Sequence, residues 1–246
     1  MSTLAARDNW NRHWDDYAGA AERNPAQRFR RRLILSALSL TPDARVLDIG
    51  SGQGDLAADI ASACPRVEVL GLELSASGVE VASRKVPGAT FLRRDLLQPH
   101  RPPVKWRGWA THAVCSEVLE HLDEPWSLLA HAKAWMAPGC KFVVTVPGGP
   151  MSAFDKHIGH RRHYRPDELR QVLEESGFHV TRAAGAGFPF FNLYRCVVIA
   201  RGSGLIRDVS GRPCWSARLA MNTFDVLFQL NRFNHGWQNV AVATLR

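Results

Sequence analysis

No run of about 18 uncharged apolar residues occurs in the chain, which is the length a membrane-crossing helix needs, so a transmembrane span is not expected. The first residues lack the apolar core of a secretory leader, because Arg7, Asp8, Arg12, Asp15 and Asp16 fall where that core would lie. Cysteine is scarce: Cys64, Cys115, Cys140, Cys196 and Cys214 are odd in number, scattered and mostly set in apolar runs. That pattern fits reduced core thiols in a cytoplasmic protein and not a disulfide framework or a zinc site. No internal repeat and no low-complexity segment is visible. No appended RNA-binding module, and no aromatic-and-basic strand surface of one, can be found either.

What is present suits one α/β domain with additions. The chain has 246 residues, 46% of them hydrophobic, enough to bury a large core. Its formal charge of +8 favours an acidic substrate, nucleic acid or an anionic surface, but such a charge alone decides nothing.

The stretch Val46-Leu47-Asp48-Ile49-Gly50-Ser51-Gly52-Gln53-Gly54-Asp55 organises the rest. Val46, Leu47 and Ile49 read as a short buried strand, three alternate glycines follow, and Leu56 to Ala63 reads as a helix. Glycine supplies positive φ and has no Cβ to hold a ligand away. The helix that follows directs free N–H groups at the same spot. The spacing is G-x-G-x-G, not the G-x-G-x-x-G of a pyrophosphate site, and Asp48 at the strand end would repel a diphosphate. A carboxylate there suits a ligand that carries positive charge. At this point the chain resembles the class I S-adenosylmethionine-dependent methyltransferases, in their small-molecule, type 11/23-like branch. Their first motif reads much like VLDIGSGQGD, and their cofactor has an ammonium, a sulfonium and no phosphate.

Further along, Val67 to Glu73 alternates into a second strand that ends on an acid, about one βαβ unit beyond Gly50. An acid there can accept hydrogen bonds from both ribose hydroxyls. Ser75 to Val86 is a helix with Ser75 as its N-cap. Thr90 to Leu96 is a third strand, and the resemblance implies that Asp95 takes the adenine amino group while Leu96 packs on the ring. Residues 98–109 read as a loop, Thr111 to Ser116 as a fourth strand, Pro125 to Met136 as a helix ended by Pro138-Gly139, and Lys141 to Val146 as a fifth strand. Pro147 to Arg165 is a basic, glycine-containing loop. A helix over Pro166 to Ser176 then stops at Gly177, before a sixth strand over Phe178 to Ala184. Two apolar helical segments, Phe191 to Ala200 and Trp215 to Phe233, precede a last strand over Gln238 to Leu245. The alternation gives a doubly wound parallel sheet. The resemblance adds a Rossmann-like sheet of seven strands whose last strand is antiparallel, between the fifth and sixth.

The expected organisation is one methyltransferase domain: a helical N-terminal lid over 1–44, a cofactor core over 45–187, a helical insertion or substrate cap over 188–236, and the final strand over 237–246. In the N-terminal part Trp10, Trp14 and Tyr17 share one helical face, and Asn24-Pro25 opens a second helix through Leu40. Arg28, Arg30, Arg31 and Arg32 read mostly as a solvated face, from which one could reach a cofactor carboxylate.

In this reading Asp48, Gly50, Ser51, Gly52, Glu73, Leu74, Asp95, Leu96 and Glu117 bind S-adenosyl-L-methionine. Methyl transfer from a sulfonium is a direct displacement, so the protein must align the acceptor and, where needed, take its proton. The ends of the fourth and fifth strands offer Glu117, Glu120 and His121, then Asp155, His157, His160 and His163. Two readings compete, beside a purely structural one. Glu117, Glu120, His121 and His160 could hold Mg²⁺ or another divalent cation, which resembles the sites of small-RNA 2′-O-methyltransferases and some ubiquinone-pathway O-methyltransferases. Alternatively His121 or His160, with Glu117, serves catalysis without metal.

The tract from Lys156 to Arg165 reads either as a solvated loop fixed by Arg and Tyr164 or as a receptor for a substrate carboxylate or phosphate. Phe188, Phe190, Phe191, Phe224, Phe228 and Phe233 would roof the site, or form a homodimer face or a peripheral membrane contact. The expected function is methylation of a small organic molecule, at oxygen first, with an acidic group on the substrate allowed. The alternatives are a metal-dependent RNA 2′-O-methyltransferase and a non-catalytic cofactor-binding subunit. Nucleic acid is not an expected partner.

Overall fold

In the computed structural model, which describes residues 24–99, 101–202 and 215–246, the apolar runs stack into a parallel sheet. Strands buried on both faces need no polar alternation, which is why they are so apolar. β1 (Arg45–Ile49) pairs in parallel with β2 (Glu68–Glu73) on one side and with β4 (Ala110–Ser116) on the other. β3 (Thr90–Arg93) extends the sheet beyond β2, and β5 (Met136–Pro147) extends it beyond β4. β7 (Gln238–Leu245) runs antiparallel between β5 and β6 (Phe178–Ala186), completing seven strands in the order β3-β2-β1-β4-β5-β7-β6. Strand order reverses between β1 and β4, so their carboxyl ends open a crevice where ligands of such sheets bind.

Helices cover both faces. α1 (Pro25–Leu38) opens at Asn24, whose Oδ1 accepts from the Ala26 N–H at 2.9 Å, and buries Phe29, Leu33, Ile34 and Leu38. α2 (Asp55–Ala63) follows the glycine turn, and α3 (Ala76–Lys85) is capped by Ser75 Oγ, which accepts from Gly78 N at 3.1 Å. α4 (Pro125–Ala132), the short α5 (Ala153–His157) and α6 (Pro166–Glu175) come next. α7 (Phe190–Arg201) and α8 (Trp215–Leu227) form the cap. Period-two alternation along β1 sends Leu47 and Ile49 into one core and Val46 into the other. Among the described residues no helix is long and apolar enough to cross a membrane.

Several boundaries differ from the sequence expectation. The third strand ends at Arg93, not Leu96. The helix expected to reach Met136 ends at Ala132, and a 3₁₀ turn over Lys133–Trp135 hands directly to β5. Pro138-Gly139 is therefore no helix stop: it sits inside β5, where the pairing register with β4 shifts between Ala110 and His112. Buried Trp135 and Met136 hold the chain there, and Gly139 takes φ +73° to let it pass. The loop after β5 contains α5, closed by a capping box between Ser152 and Asp155.

The arginines of α1 are not a solvated face. Arg28 and Arg32 reach Asp225 of α8, Arg31 reaches Asp59 of α2, and Arg30 is buried. Trp10, Trp14 and Tyr17 lie outside the described residues, as does Cys214. Cys115 and Cys140 are buried free thiols, whereas Cys196 is exposed on α7.

Candidate active site

The glycine turn is built by geometry that only glycine satisfies. Gly50, Gly52 and Gly54 have φ of +73°, +52° and +76°. The N–H groups of Gly50 and Ser51 both donate to the Leu72 carbonyl, at 2.8 and 3.2 Å, which folds the turn over β2. A Cβ on Gly50 would lie 2.4 Å from Val118 Cγ2, so this residue must lack a side chain as well as turn left-handed. Glu73 fixes the turn from the next strand: its carboxylate accepts from Gly52 N at 2.9 Å and from Ser75 N at 2.8 Å. This stapling role was not legible in the sequence, where Glu73 was assigned to ribose.

Asp48 is the residue that asks for a ligand. It is 2% exposed, and its Oδ2 has no hydrogen-bond partner among the described residues; the same holds for Ser51 Oγ. Burial, and then the charge of Glu73, push the Asp48 carboxyl up to about 7. A positive group brought here would restore the ionised form and satisfy the orphaned oxygen. That fits the ammonium and sulfonium of S-adenosylmethionine and not a diphosphate. Asp95 accepts from Leu97 N at 2.9 Å at the end of β3, beside buried Leu96 and half-buried Leu74. The structure thus places Asp48, Glu73 and Asp95 in a row at or just beyond the ends of β1, β2 and β3.

Across the crevice, β4 runs into Glu117, a non-glycine residue at φ +56°. Such a strained conformation persists only where its surroundings hold it. Glu117 N donates to Thr145 O at 2.9 Å, and its carboxylate takes Arg30 of α1 at 2.8 Å and Gln238 Nε2 of β7 at 3.0 Å. Glu117 therefore faces α1 and β7. A 3₁₀ turn over Leu119–His121 carries Glu120 and His121 into the interior, at 0% and 5% exposure. Both Glu120 oxygens are without a hydrogen-bond partner among the described residues. Burial first, and Glu117 second, raise its carboxyl well above the usual range, so it is held protonated.

The histidines form a directed chain. The Gly149 carbonyl can only accept, so His163 Nδ1, 3.0 Å away, is the N–H. His163 Nε2 and His160 Nδ1 share a hydrogen bond at 3.2 Å, with His160 the donor in the tautomer that places the single His163 proton on Nδ1. That leaves His160 Nε2 as a lone pair, 3.9 Å from Glu120 Oε1, with the His121 ring edge-on at 4.7 Å between centroids. Burial, then the charge of His121, lower His160 to about 3, so its ring is neutral around pH 7. His163 also lies 3.7 Å from Asp155, which Arg195 of α7 grips through both oxygens at 3.1 and 2.6 Å. Burial alone would raise Asp155, but the Arg195 hydrogen bonds and charge prevail and bring it to about 2.

The basic tract spends its guanidinium groups on neighbouring parts of the fold. Arg161 pairs with the Asp123 carboxylate, Arg162 donates to the Asp123 carbonyl at 3.1 Å, and Arg165 pairs with Asp167 and Glu168 at 3.1 and 3.2 Å. Tyr164 is buried and donates to Leu119 O at 3.2 Å, with burial pushing its hydroxyl up to about 12. Of the expected metal set, Glu120, His121 and His160 bring ligand atoms within 4.8 Å of one another, as do Asp155, His160 and His163. Glu117 belongs to neither group. The expected aromatic roof turns partly inward: Phe191 and Phe228 are buried, with centroids 5.4 and 5.6 Å from Phe29. Arg30 and Arg195 are the residues whose part sequence reasoning missed. The signal for Arg195 was a single charge inside an apolar helix, which requires a partner.

Comparison with known proteins gives a consistent picture. A family model described as a methyltransferase domain matches residues 17–183. A trans-aconitate 2-methyltransferase from Methylobacterium nodulans is 30% identical over 116 residues, 46% of this chain and 42% of that protein. A ubiquinone/menaquinone biosynthesis C-methyltransferase from Geotalea daltonii is 32% identical over 69 residues, 28% of this chain and 29% of that protein. The chain thus matches less than half the length of these curated relatives. Phosphoethanolamine N-methyltransferase 2 of Haemonchus contortus, solved with S-adenosyl-L-methionine, shares the fold: TM-score 0.59 and 16% identity, covering 88% of this chain and 52% of that one.

Proposed function

We propose, since this chain belongs to the class I S-adenosylmethionine-dependent methyltransferase family, that it transfers a methyl group from S-adenosylmethionine to an oxygen of a small organic acceptor. The observation that carries the cofactor assignment is the buried, unmet oxygen of Asp48 beside a left-handed glycine turn. In this proposal Asp48 holds the positively charged part of the cofactor, and Gly50, Ser51 and Gly52 let the backbone approach it. Glu73 and Leu74 meet the ribose, and Asp95 with Leu96 meets the adenine. When bound, S-adenosylmethionine supplies an electrophilic methyl carbon.

The acceptor side is the work of the histidine chain. His163 orients His160 so that its Nε2 faces Glu120 and His121, where it would take a hydroxyl proton as the acceptor oxygen bonds to the methyl carbon and the sulfonium–carbon bond breaks, leaving a neutral thioether. Because its ring is neutral around pH 7, His160 can receive a proton from an acceptor hydroxyl such as a phenol, whereas a carboxylate acceptor is already ionised and needs only to be aligned. One relative, named for trans-aconitate, supports an acidic small-molecule acceptor; the other is named a C-methyltransferase. His121 flanks the pocket, and Glu117 positions α1 and β7 around the strand end.

A second reading is supported by the spacing of Glu120, His121 and His160, a carboxylate with two imidazoles that suits a divalent cation. Turnover of carboxylic and phenolic acceptors with methyl-labelled cofactor tests both. Label in the acceptor, lost in His160→Gln and unaffected by EDTA, is the outcome for the base. Loss in EDTA that Mg²⁺ restores is the outcome for the metal. Label only in RNA, or none in any acceptor, would remove the small-molecule proposal.

A further inference from the structure

The cap helices are apolar on the side that faces the core and again on the side that faces out. α7 buries Phe191 and Val198, yet Leu193 and Val197, four residues apart on its other flank, are 51% and 43% exposed. α8 turns Phe224 towards Tyr194, with centroids 5.4 Å apart, and presents Trp215, Leu219 and Val226 outward at 79%, 59% and 64%. Leu230, in the turn that follows, continues the stripe at 67%. These positions recur at spacings of four, seven and four residues, which keeps them on one helical face. Eight of the ten large hydrophobic side chains exposed among the described residues fall between Phe188 and Phe233; the other two are Val104 and Trp126. An apolar patch of that kind marks an interaction surface.

The charge of the same segment selects the occupant. Residues 188–235 contain six arginines, two aspartates and no lysine or glutamate, so they carry +4 of the formal +8 in under a fifth of the chain. One of those aspartates, Asp225, is already engaged by Arg28 and Arg32. Arg201, Arg218 and Arg232 are exposed. A second copy of this face would set arginines against arginines, which charge repulsion opposes. An anionic bilayer offers acyl chains for the stripe and negative headgroups for Arg218 and Arg232.

We propose that the outer face of α7 and α8 docks on a membrane surface bearing anionic lipid. The docked face is mechanically joined to the acceptor side of the site, because Arg195 on α7 grips Asp155 in the histidine loop.

The test is co-sedimentation of the full chain with vesicles of phosphatidylcholine alone and of phosphatidylcholine mixed with phosphatidylglycerol. The expected result is binding to the mixed vesicles only, weakening as salt rises. Arg218→Gln should reduce it about fivefold, and Leu219→Asp with Val226→Asp should abolish it. Cofactor affinity and melting temperature should be unchanged in both variants, which separates lost docking from lost folding and from failure of the cofactor site. Absence of binding to mixed vesicles, equal binding to both kinds, or binding that survives the two aspartates would overturn the proposal. So would a concentration-dependent dimer that the two aspartates dissolve.

Discussion

Asp48 couples the site to protons, and the direction of that coupling can be worked out. Its folded-state pKa near 7 stands above the ordinary 3.8, so the stability it contributes is fully present below about pH 4 and is lost as pH rises to about 7. The ligand-free protein should therefore soften across that window. Asp48→Asn should be flat there and more stable than the parent at pH 8, by up to about 4 kcal/mol if the full shift is realised; urea unfolding at pH 5 and pH 8 reads both. A cationic ligand demands the ionised carboxylate, so its affinity should fall as pH drops below 7. Calorimetry in buffers of different ionisation enthalpy should then report a proton released on binding. Gly50→Ala is expected to abolish cofactor binding, because the new Cβ meets Val118 at 2.4 Å and the left-handed φ costs about 1 kcal/mol besides. Residue types at strand ends were legible in the sequence, since Asp48, Glu73 and Asp95 each follow a recognisable apolar run. Partners across the fold were not: Glu117 meets Gln238 from 121 residues away, and no local pattern encodes that pairing.

Two contacts decide how the elements hold the acceptor side together. Phe29 of α1 is 1% exposed and meets Phe191, Phe228 and Phe233 with centroids 5.4, 5.6 and 6.4 Å away. Phe29→Ala should destabilise the protein by about 3–5 kcal/mol, measured by urea unfolding, and loosen the cap from the core. Arg195→Gln acts elsewhere: it frees Asp155 and through it His163, so the orientation of His160 is lost. Turnover should fall at least tenfold with cofactor affinity unchanged. If calorimetry instead showed the cofactor lost in parallel, the histidine loop would be part of the cofactor site. At this scale the strands flanking the glycine turn could be read because each is a short apolar run with a turn signal after it. The early start of β5 is not legible because Pro138-Gly139 has the chemistry of a stop, and only pairing with β4 shows that a register shift absorbs it. α5 escaped because a five-residue helix is set by its Ser152–Asp155 box and not by periodicity.

Over the whole molecule, charge and apolar surface are unevenly shared. The arginines of α1 and of the basic tract meet acids within the fold, while Arg218 and Arg232 of the cap segment are exposed, as is the apolar stripe of α8. The formal +8 therefore argues for a surface partner more than for an anionic substrate held by the tract. The doubly wound sheet and its antiparallel last strand follow from the βα alternation and the family resemblance, whereas the strand order and the cap's two-sided helices show only in the structure. The central claim is that the ends of β1 to β3 hold S-adenosylmethionine through Asp48. Calorimetric titration of the intact chain and of Asp48→Ala tests it most directly. The account predicts that the parent binds S-adenosylmethionine, does not bind NAD, and loses at least tenfold in affinity when Asp48 becomes alanine. Undiminished affinity in Asp48→Ala would contradict it.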